Sequence, residues 1–149
     1  MKPNTGRAIL GGLAGTIVLT MLMYIAAPMM GIPKMDIAAM LGSLLGGWTM
    51  GMVMHLVNGV VLFPLIYAFV LFSKLRGTPA IKGILWGVAL WLVAGLMVMP
   101  MMGAGFFGLA NGGMMAAAAT LLGHIVYGAL LGAITGGPAR RLEEATVQI

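Results

Sequence analysis

The chain has 149 residues, of which 61% are hydrophobic and only 7% are charged, and it contains no cysteine. Because an ordinary soluble domain carries about 25% charged residues, this composition excludes a soluble globular protein and indicates a membrane protein. The lack of cysteine excludes disulfides, thiolate nucleophiles, iron–sulfur clusters and covalently attached c-type haem.

Long charge-free runs predict four membrane crossings, since a helix needs about 20 apolar residues to span a bilayer. Proline or glycine marks most of their ends. The predicted crossings cover about residues 8–27, 48–72, 81–99 and 114–135. Pro64 lies inside the second crossing and predicts a kink. The predicted fold is all-α, an up-down-up-down four-helix bundle forming one integral-membrane domain over residues 1–149, with a cytoplasmic tail at 138–149.

The basic residues predict the orientation of the bundle. Seven of the eight fall on one side of the crossings: Lys2, Arg7, Lys74, Arg76, Lys82, Arg140 and Arg141. By the positive-inside rule that side is cytoplasmic. The protein is therefore expected in the cell (inner) membrane with both termini in the cytoplasm. The scattered cations form no basic stripe, which excludes nucleic acid as a partner. The expected partners are the lipid bilayer and other membrane subunits or further copies of the chain.

The tetrapeptide PMMG occurs twice, at Pro28–Gly31 and Pro100–Gly103, and a histidine follows each copy in an H-x-x-x-G pattern. This order predicts two fused helix-hairpin repeats, covering about residues 8–72 and 81–137. Each hairpin crosses the membrane twice, so the repeats are parallel and imply a pseudo-twofold axis along the membrane normal. Both PMMG loops are then expected outside.

A short interfacial helix is predicted after the first PMMG. Asp36 is a suitable N-cap, and apolar residues follow it at helical spacing in "IAAMLGSLL". The second copy has the glycine-rich stretch "AGFFGLANGG" at the corresponding place, which predicts a turn.

The two histidines are the candidate site. Ionisable side chains are costly within the hydrocarbon, so they generally face the bundle interior and mark function. His55 lies on a stripe with Gly51 and Gly59, and His124 lies one turn before Gly128. The second and fourth helices of such a bundle are diagonal neighbours. We therefore expect the imidazoles to meet in a cofactor site that these three glycines border.

Haem b is the first candidate ligand, with both histidines as axial ligands for electron transfer. The glycines would leave room for the macrocycle, an arrangement similar to that of membrane b-type cytochromes. The propionates would need Lys34, Trp48 or Asn111 as partners.

Two other interpretations are open. Sixteen methionines, several near the PMMG segments, supply thioethers that together with imidazole suit Cu(I). Alternatively the protein is a non-catalytic accessory or assembly subunit, whose histidines only form hydrogen bonds with Asn58, Tyr127, Thr120 or each other. The three acidic residues, Asp36, Glu143 and Glu144, place no carboxylate beside the histidines, so the sequence offers no candidate catalytic residue.

The stretches "APMMGIPKMDIAAMLGSLLGG", "MPMMGAGFFGLANGGMM" and "LLGHIVYGALLG" resemble a family of small four-helix bacterial and archaeal membrane proteins of unknown function. The resemblance extends from about Gly11 to Gly136, and "PKMDIA" and "GHIVYG" are its most specific parts. It implies the four-helix membrane fold, and it implies no activity or cofactor.

Overall fold

The computed structural model describes residues 4–136, and the regular secondary structure within them is entirely helical. Four helices are long and apolar enough to cross a membrane, which supports the membrane class. They are α1 (Thr5–Met29), α3 (Trp48–Leu71), α4 (Pro79–Met101) and α5 (Phe106–Thr135), with a short α2 (Ile37–Leu45) between the first two. The predicted tail at 138–149 and the last residue of the second predicted repeat lie outside the described residues.

Helix α5 packs against both α1 and α4, and α1 also packs against α3. Glycines make these contacts close: a Cβ on Gly83 of α4 would overlap the Gly128 carbonyl oxygen of α5, and one on Gly87 would overlap the His124 carbonyl oxygen. Lipid gives helices no hydrophobic reason to associate, so intimate packing of small residues must supply the attraction.

Three prolines lie within the long helices, and each follows a π-helical stretch that ends two residues earlier. The stretches are Leu22–Ala26 before Pro28, Val57–Leu62 before Pro64 and Ala94–Val98 before Pro100. A proline cannot donate to the carbonyl four residues back and its ring clashes with it, and a wider turn relieves that conflict. The helices therefore continue to Met29 and Met101, and the predicted ends at residues 27 and 99 are wrong.

The two PMMG segments adopt the same backbone. Met30 and Met102 have φ/ψ of −93/8° and −91/7°, and Gly31 and Gly103 follow with φ of 78° and 75°. In each copy the amide two residues after the second methionine donates to a carbonyl of the last helical turn at 3.0 Å. A positive φ costs glycine little, which explains why each copy ends in one. We call this end of the molecule the PMMG end.

Asp36 caps α2 as predicted, accepting a hydrogen bond from the Ala39 amide at 2.9 Å. The helix lies against α3, because a Cβ on Gly51 would overlap the Ala38 carbonyl oxygen. In the second copy the glycine-rich stretch forms a 3₁₀ turn, Phe106–Gly108. After this first turn the α-helical part of α5 begins at Leu109, earlier than the predicted residue 114, and Gly112 and Gly113 break its regularity.

Candidate functional site

A cavity of about 170 Å³ lies among the helices, and all five of them contribute to its walls. Most lining side chains are apolar. The polar ones are Thr16, His55, Asn58, Thr120, His124 and Tyr127. The structure therefore brings His55 of α3 and His124 of α5 to the same cavity.

His55 is held by α1. Its Nε2 lies 2.9 Å from the Thr20 hydroxyl oxygen, and that hydroxyl donates its single proton to the Thr16 carbonyl at 2.7 Å. Because the Thr20 proton is already used, the hydroxyl must accept from Nε2–H of His55. For the neutral ring, this network assigns the Nε2–H tautomer and leaves Nδ1 unprotonated.

His124 is held by its own helix. Its Nδ1 lies 2.8 Å from the Thr120 carbonyl oxygen, and a carbonyl can only accept, so Nδ1 carries the proton. The Thr120 hydroxyl is fixed in turn, since it accepts from the Trp91 indole at 3.1 Å and donates to the Ala117 carbonyl at 3.0 Å. Nε2 of His124 is left with a free lone pair.

In their neutral forms the two imidazoles thus carry the proton on different ring nitrogens, Nε2 in His55 and Nδ1 in His124. Two lone pairs cannot hydrogen-bond to each other, so a direct bond between His55 and His124 does not fit this network. Among the predicted polar partners, Thr120 is used by His124 through its carbonyl, and Tyr127 donates instead to the Gly59 carbonyl at 2.7 Å. That bond links α5 to α3 beside the cavity, where the π-helical stretch Val57–Leu62 leaves the carbonyl accessible.

The predicted bordering glycines have different surroundings. Gly59 lines the cavity and lies against the Thr16 side chain. Gly51 packs on α2 and Gly128 packs on α4. Only Gly59 of these three is among the cavity-lining residues of the described chain, and the other two serve close helix packing.

Five methionines complete the lining: Met23, Met35, Met40, Met99 and Met102. Within residues 4–136 there is no group of three or more His, Cys, Asp or Glu side chains able to hold a metal ion. The nitrogen and sulfur donors among the lining side chains are the two imidazoles and the thioethers, a donor set that suits soft Cu(I).

Sequence reasoning did not identify Thr16 and Thr20, which lie one turn apart on α1. Thr16 is 1% exposed, and its hydroxyl has no hydrogen-bond partner. A buried hydroxyl without a partner is costly, and this one lies at a cavity wall. Two threonines at helical spacing within an apolar crossing were the available signal.

Helix α2 covers the PMMG end of the cavity with Ile37, Met40 and Leu41. Asp36 holds the start of this helix in place, because it accepts hydrogen bonds from the Tyr24 hydroxyl at 2.5 Å and the Trp48 indole at 3.1 Å. Burial acts to raise the pKa of Asp36, but its hydrogen bonds and nearby Lys34 outweigh that effect and lower the pKa below its usual value.

The sequence model of a family of unknown function, DUF6789, matches residues 3–145. Searches of the curated proteins and of the solved structures gave no match. The family match agrees with the expected resemblance to an uncharacterised family, and it assigns no role to any residue of the cavity.

Proposed function

The chain belongs to DUF6789, a family of unknown function, and we propose that it is a Cu(I)-binding membrane protein whose metal ligands are His55 and His124. One observation carries this proposal. Each imidazole has one nitrogen fixed by a protein hydrogen bond and the other nitrogen free, and both rings line one cavity.

This arrangement suits a metal ligand. A ligating histidine usually donates its second ring N–H to a carbonyl or other acceptor, which fixes the tautomer and orients the ring. The Thr120 carbonyl does this for His124, and the Thr20 hydroxyl does it for His55. The ligands need no deprotonation, since both rings are neutral in these tautomers.

The choice of Cu(I) follows from the remaining donors. Within residues 4–136 no carboxylate lines the cavity, so a hard divalent cation would have no anionic ligand among them. Thioethers are soft and neutral, and a monovalent soft ion is the one that imidazole and thioether donors favour. Met23 and Met40, both at the cavity wall, are the thioethers on α1 and α2.

Haem b is less well supported than an ion. The cavity of about 170 Å³ is smaller than the roughly 300–1,000 Å³ of pockets that hold drug-sized ligands. Two of the expected propionate partners are also engaged, because Trp48 donates to Asp36 and the Lys34 ammonium lies 4.8 Å from the Tyr24 ring centroid. A haem would require the helices to separate.

The accessory-subunit interpretation rests on His55, whose bond to Thr20 joins α3 to α1. That bond would exist with or without a ligand. His124 favours binding instead, because its hydrogen bond stays within α5 and joins no second helix.

The proposal includes a topology. The chain is one integral-membrane domain, an up-down-up-down bundle of two parallel hairpin repeats, and the shared backbone of the PMMG segments supports the duplication. The Arg7 side chain donates a hydrogen bond to the Ile134 carbonyl, and the Lys82 side chain donates one to the Phe72 carbonyl. Both hydrogen bonds lie at the end opposite the PMMG end. By the positive-inside rule that end is cytoplasmic in the cell (inner) membrane. The histidines then lie in the outer half.

The test is anaerobic titration of the purified protein in lipid nanodiscs with Cu(I), followed by elemental analysis and an absorption spectrum. We expect bound copper with no Soret band, and loss of the histidine-bound copper in His55→Ala and His124→Ala. A Soret band that both substitutions abolish would show haem instead. Protein that stays free of metal and haem while folded would support the accessory subunit.

A further inference from the structure

A group of methionine side chains lies between the histidines and the PMMG end. Met35 and Met99 are buried there beside Ala104 and Ala116, and Met40 and Met102 pack against them. We call these four methionines the thioether cluster. They come from separate parts of the chain: the loop after α1, helix α2, and the end of α4 with its following turn.

Two side chains of the cluster, Met35 and Met99, meet beside Gly108. The Met35 methyl carbon and the Met99 sulfur lie 3.2 and 3.4 Å from the position that a Cβ on Gly108 would occupy. Gly108 has φ of 77°, a conformation that side-chain-bearing residues rarely adopt. The backbone at Gly108 therefore brings the 3₁₀ turn close to both side chains.

Burial separates these methionines from most others in the chain. Met35 is 5% exposed and Met99 is 7% exposed. By contrast, Met21 and Met97 within the crossings are 54% and 61% exposed, as expected for side chains that face lipid. The exposed methionines act as ordinary apolar side chains. The cluster instead places four thioethers at the wall of the cavity that holds the histidines.

The cluster is also next to the molecular surface. Met101, which is 68% exposed, precedes Met102, and Met102 lines the cavity. A thioether at the surface and one at the cavity wall are thus consecutive in the chain at the second PMMG segment. Thioethers are neutral and soft, so they can bind Cu(I) without a proton being released.

We infer that the thioether cluster is a second Cu(I) site, at the PMMG end, through which the ion reaches His55 and His124. The inference rests on the proposed function, because it takes Cu(I) as the ion. It assigns a role to the second PMMG segment, whose helix end places Met102, together with Met99 just before the segment, at the cavity wall.

The experiment compares four proteins in nanodiscs: wild type, Met35→Leu/Met99→Leu, His55→Ala/His124→Ala, and the control Met21→Leu/Met97→Leu. Methionine-to-leucine changes preserve volume, so the variants should fold, and circular dichroism checks this. Each is titrated anaerobically with Cu(I) against a Cu(I) chelator. We expect the wild type and the control to bind a second Cu(I) that the Met35/Met99 variant lacks, and that variant to load its histidine site more slowly.

The outcomes are separable. If the Met35/Met99 variant matches the control in stoichiometry and loading rate while the His55/His124 variant loses copper, the thioether site is refuted and the proposed function stands. If the His55/His124 variant binds as much copper as wild type, the proposed function fails. Should the Met35/Met99 variant not fold, Met102→Leu is measured with the same expectations.

Discussion

The Thr20 hydroxyl of α1 accepts a hydrogen bond from His55 of α3 at 2.9 Å and donates its own hydrogen bond to the Thr16 carbonyl oxygen at 2.7 Å. This chain of two bonds fixes which ring nitrogen of His55 is protonated. The free nitrogen of His55 is therefore a consequence of a threonine on another helix, which makes Thr20 a positioning residue for the proposed site.

Replacing Thr20 by valine should weaken Cu(I) binding. The substitution keeps the shape of the side chain but removes the acceptor for His55 Nε2–H, and loss of such an outer partner typically costs about 10–100-fold in metal affinity. Chelator competition measures the affinity. Thr135→Val is the matched control, because the Thr135 hydroxyl likewise donates to the carbonyl one turn back and lies at the far end of α5. Equal affinities in the two variants would remove Thr20 from the site.

Replacing Gly83 by alanine should destabilise the bundle. A Cβ there would overlap the Gly128 carbonyl, and backbone cannot move aside as a flexible side chain can. Overpacking typically costs about 1–3 kcal/mol, measurable as a loss of unfolding free energy in a denaturant titration of the detergent-solubilised protein. In the control Gly6→Ala the new Cβ meets only the Asn4 side chain at 3.4 Å, and helix propensity predicts a gain of up to about 1 kcal/mol. The same loss in both variants would contradict close α4–α5 packing.

The hydrogen bonds that Asp36 accepts predict that the stability of the folded protein depends on pH. The folded-state pKa of Asp36 is lower than its ordinary value of 3.8, so the unfolded chain binds more protons between the two values. The stabilisation is therefore complete above the unfolded-state pKa and is lost as the pH falls through the folded-state pKa. Thermal unfolding in nanodiscs from about pH 7 to about pH 3 measures it.

Asp36→Asn is the control for this titration, since asparagine still caps a helix but does not titrate. We expect the melting temperature of the wild type to fall below about pH 4 relative to that of the variant. Parallel curves for the two proteins across this range would show that the carboxylate does not hold α2 over the cavity.

Much of the fold was predictable from the distribution of charged residues and from a single capping residue. Charge-free runs located the four long helices, and Asp36 located the start of α2. The helix ends at Pro28 and Pro100 were not predicted correctly, because a π-helical turn before each proline lets the helix continue. Sequence periodicity assumes a uniform helix and so cannot reveal that local widening.

The site was predictable only in part. The recurring H-x-x-x-G pattern after each PMMG segment directed attention to His55 and His124. The partners of the rings were not predictable, since Thr20 approaches His55 through the packing of α1 on α3. The same holds for the glycines: sequence spacing places Gly51 near His55, but α2 folds back and occupies that face.

Copper K-edge X-ray absorption of the Cu(I)-loaded protein tests the central claim most directly, since imidazole gives a characteristic multiple-scattering pattern that thioether does not. We predict a wild-type spectrum that contains two imidazoles on the histidine-bound copper, and one imidazole fewer in His124→Ala. A spectrum with sulfur scatterers alone, unchanged in His55→Ala/His124→Ala, would contradict the account.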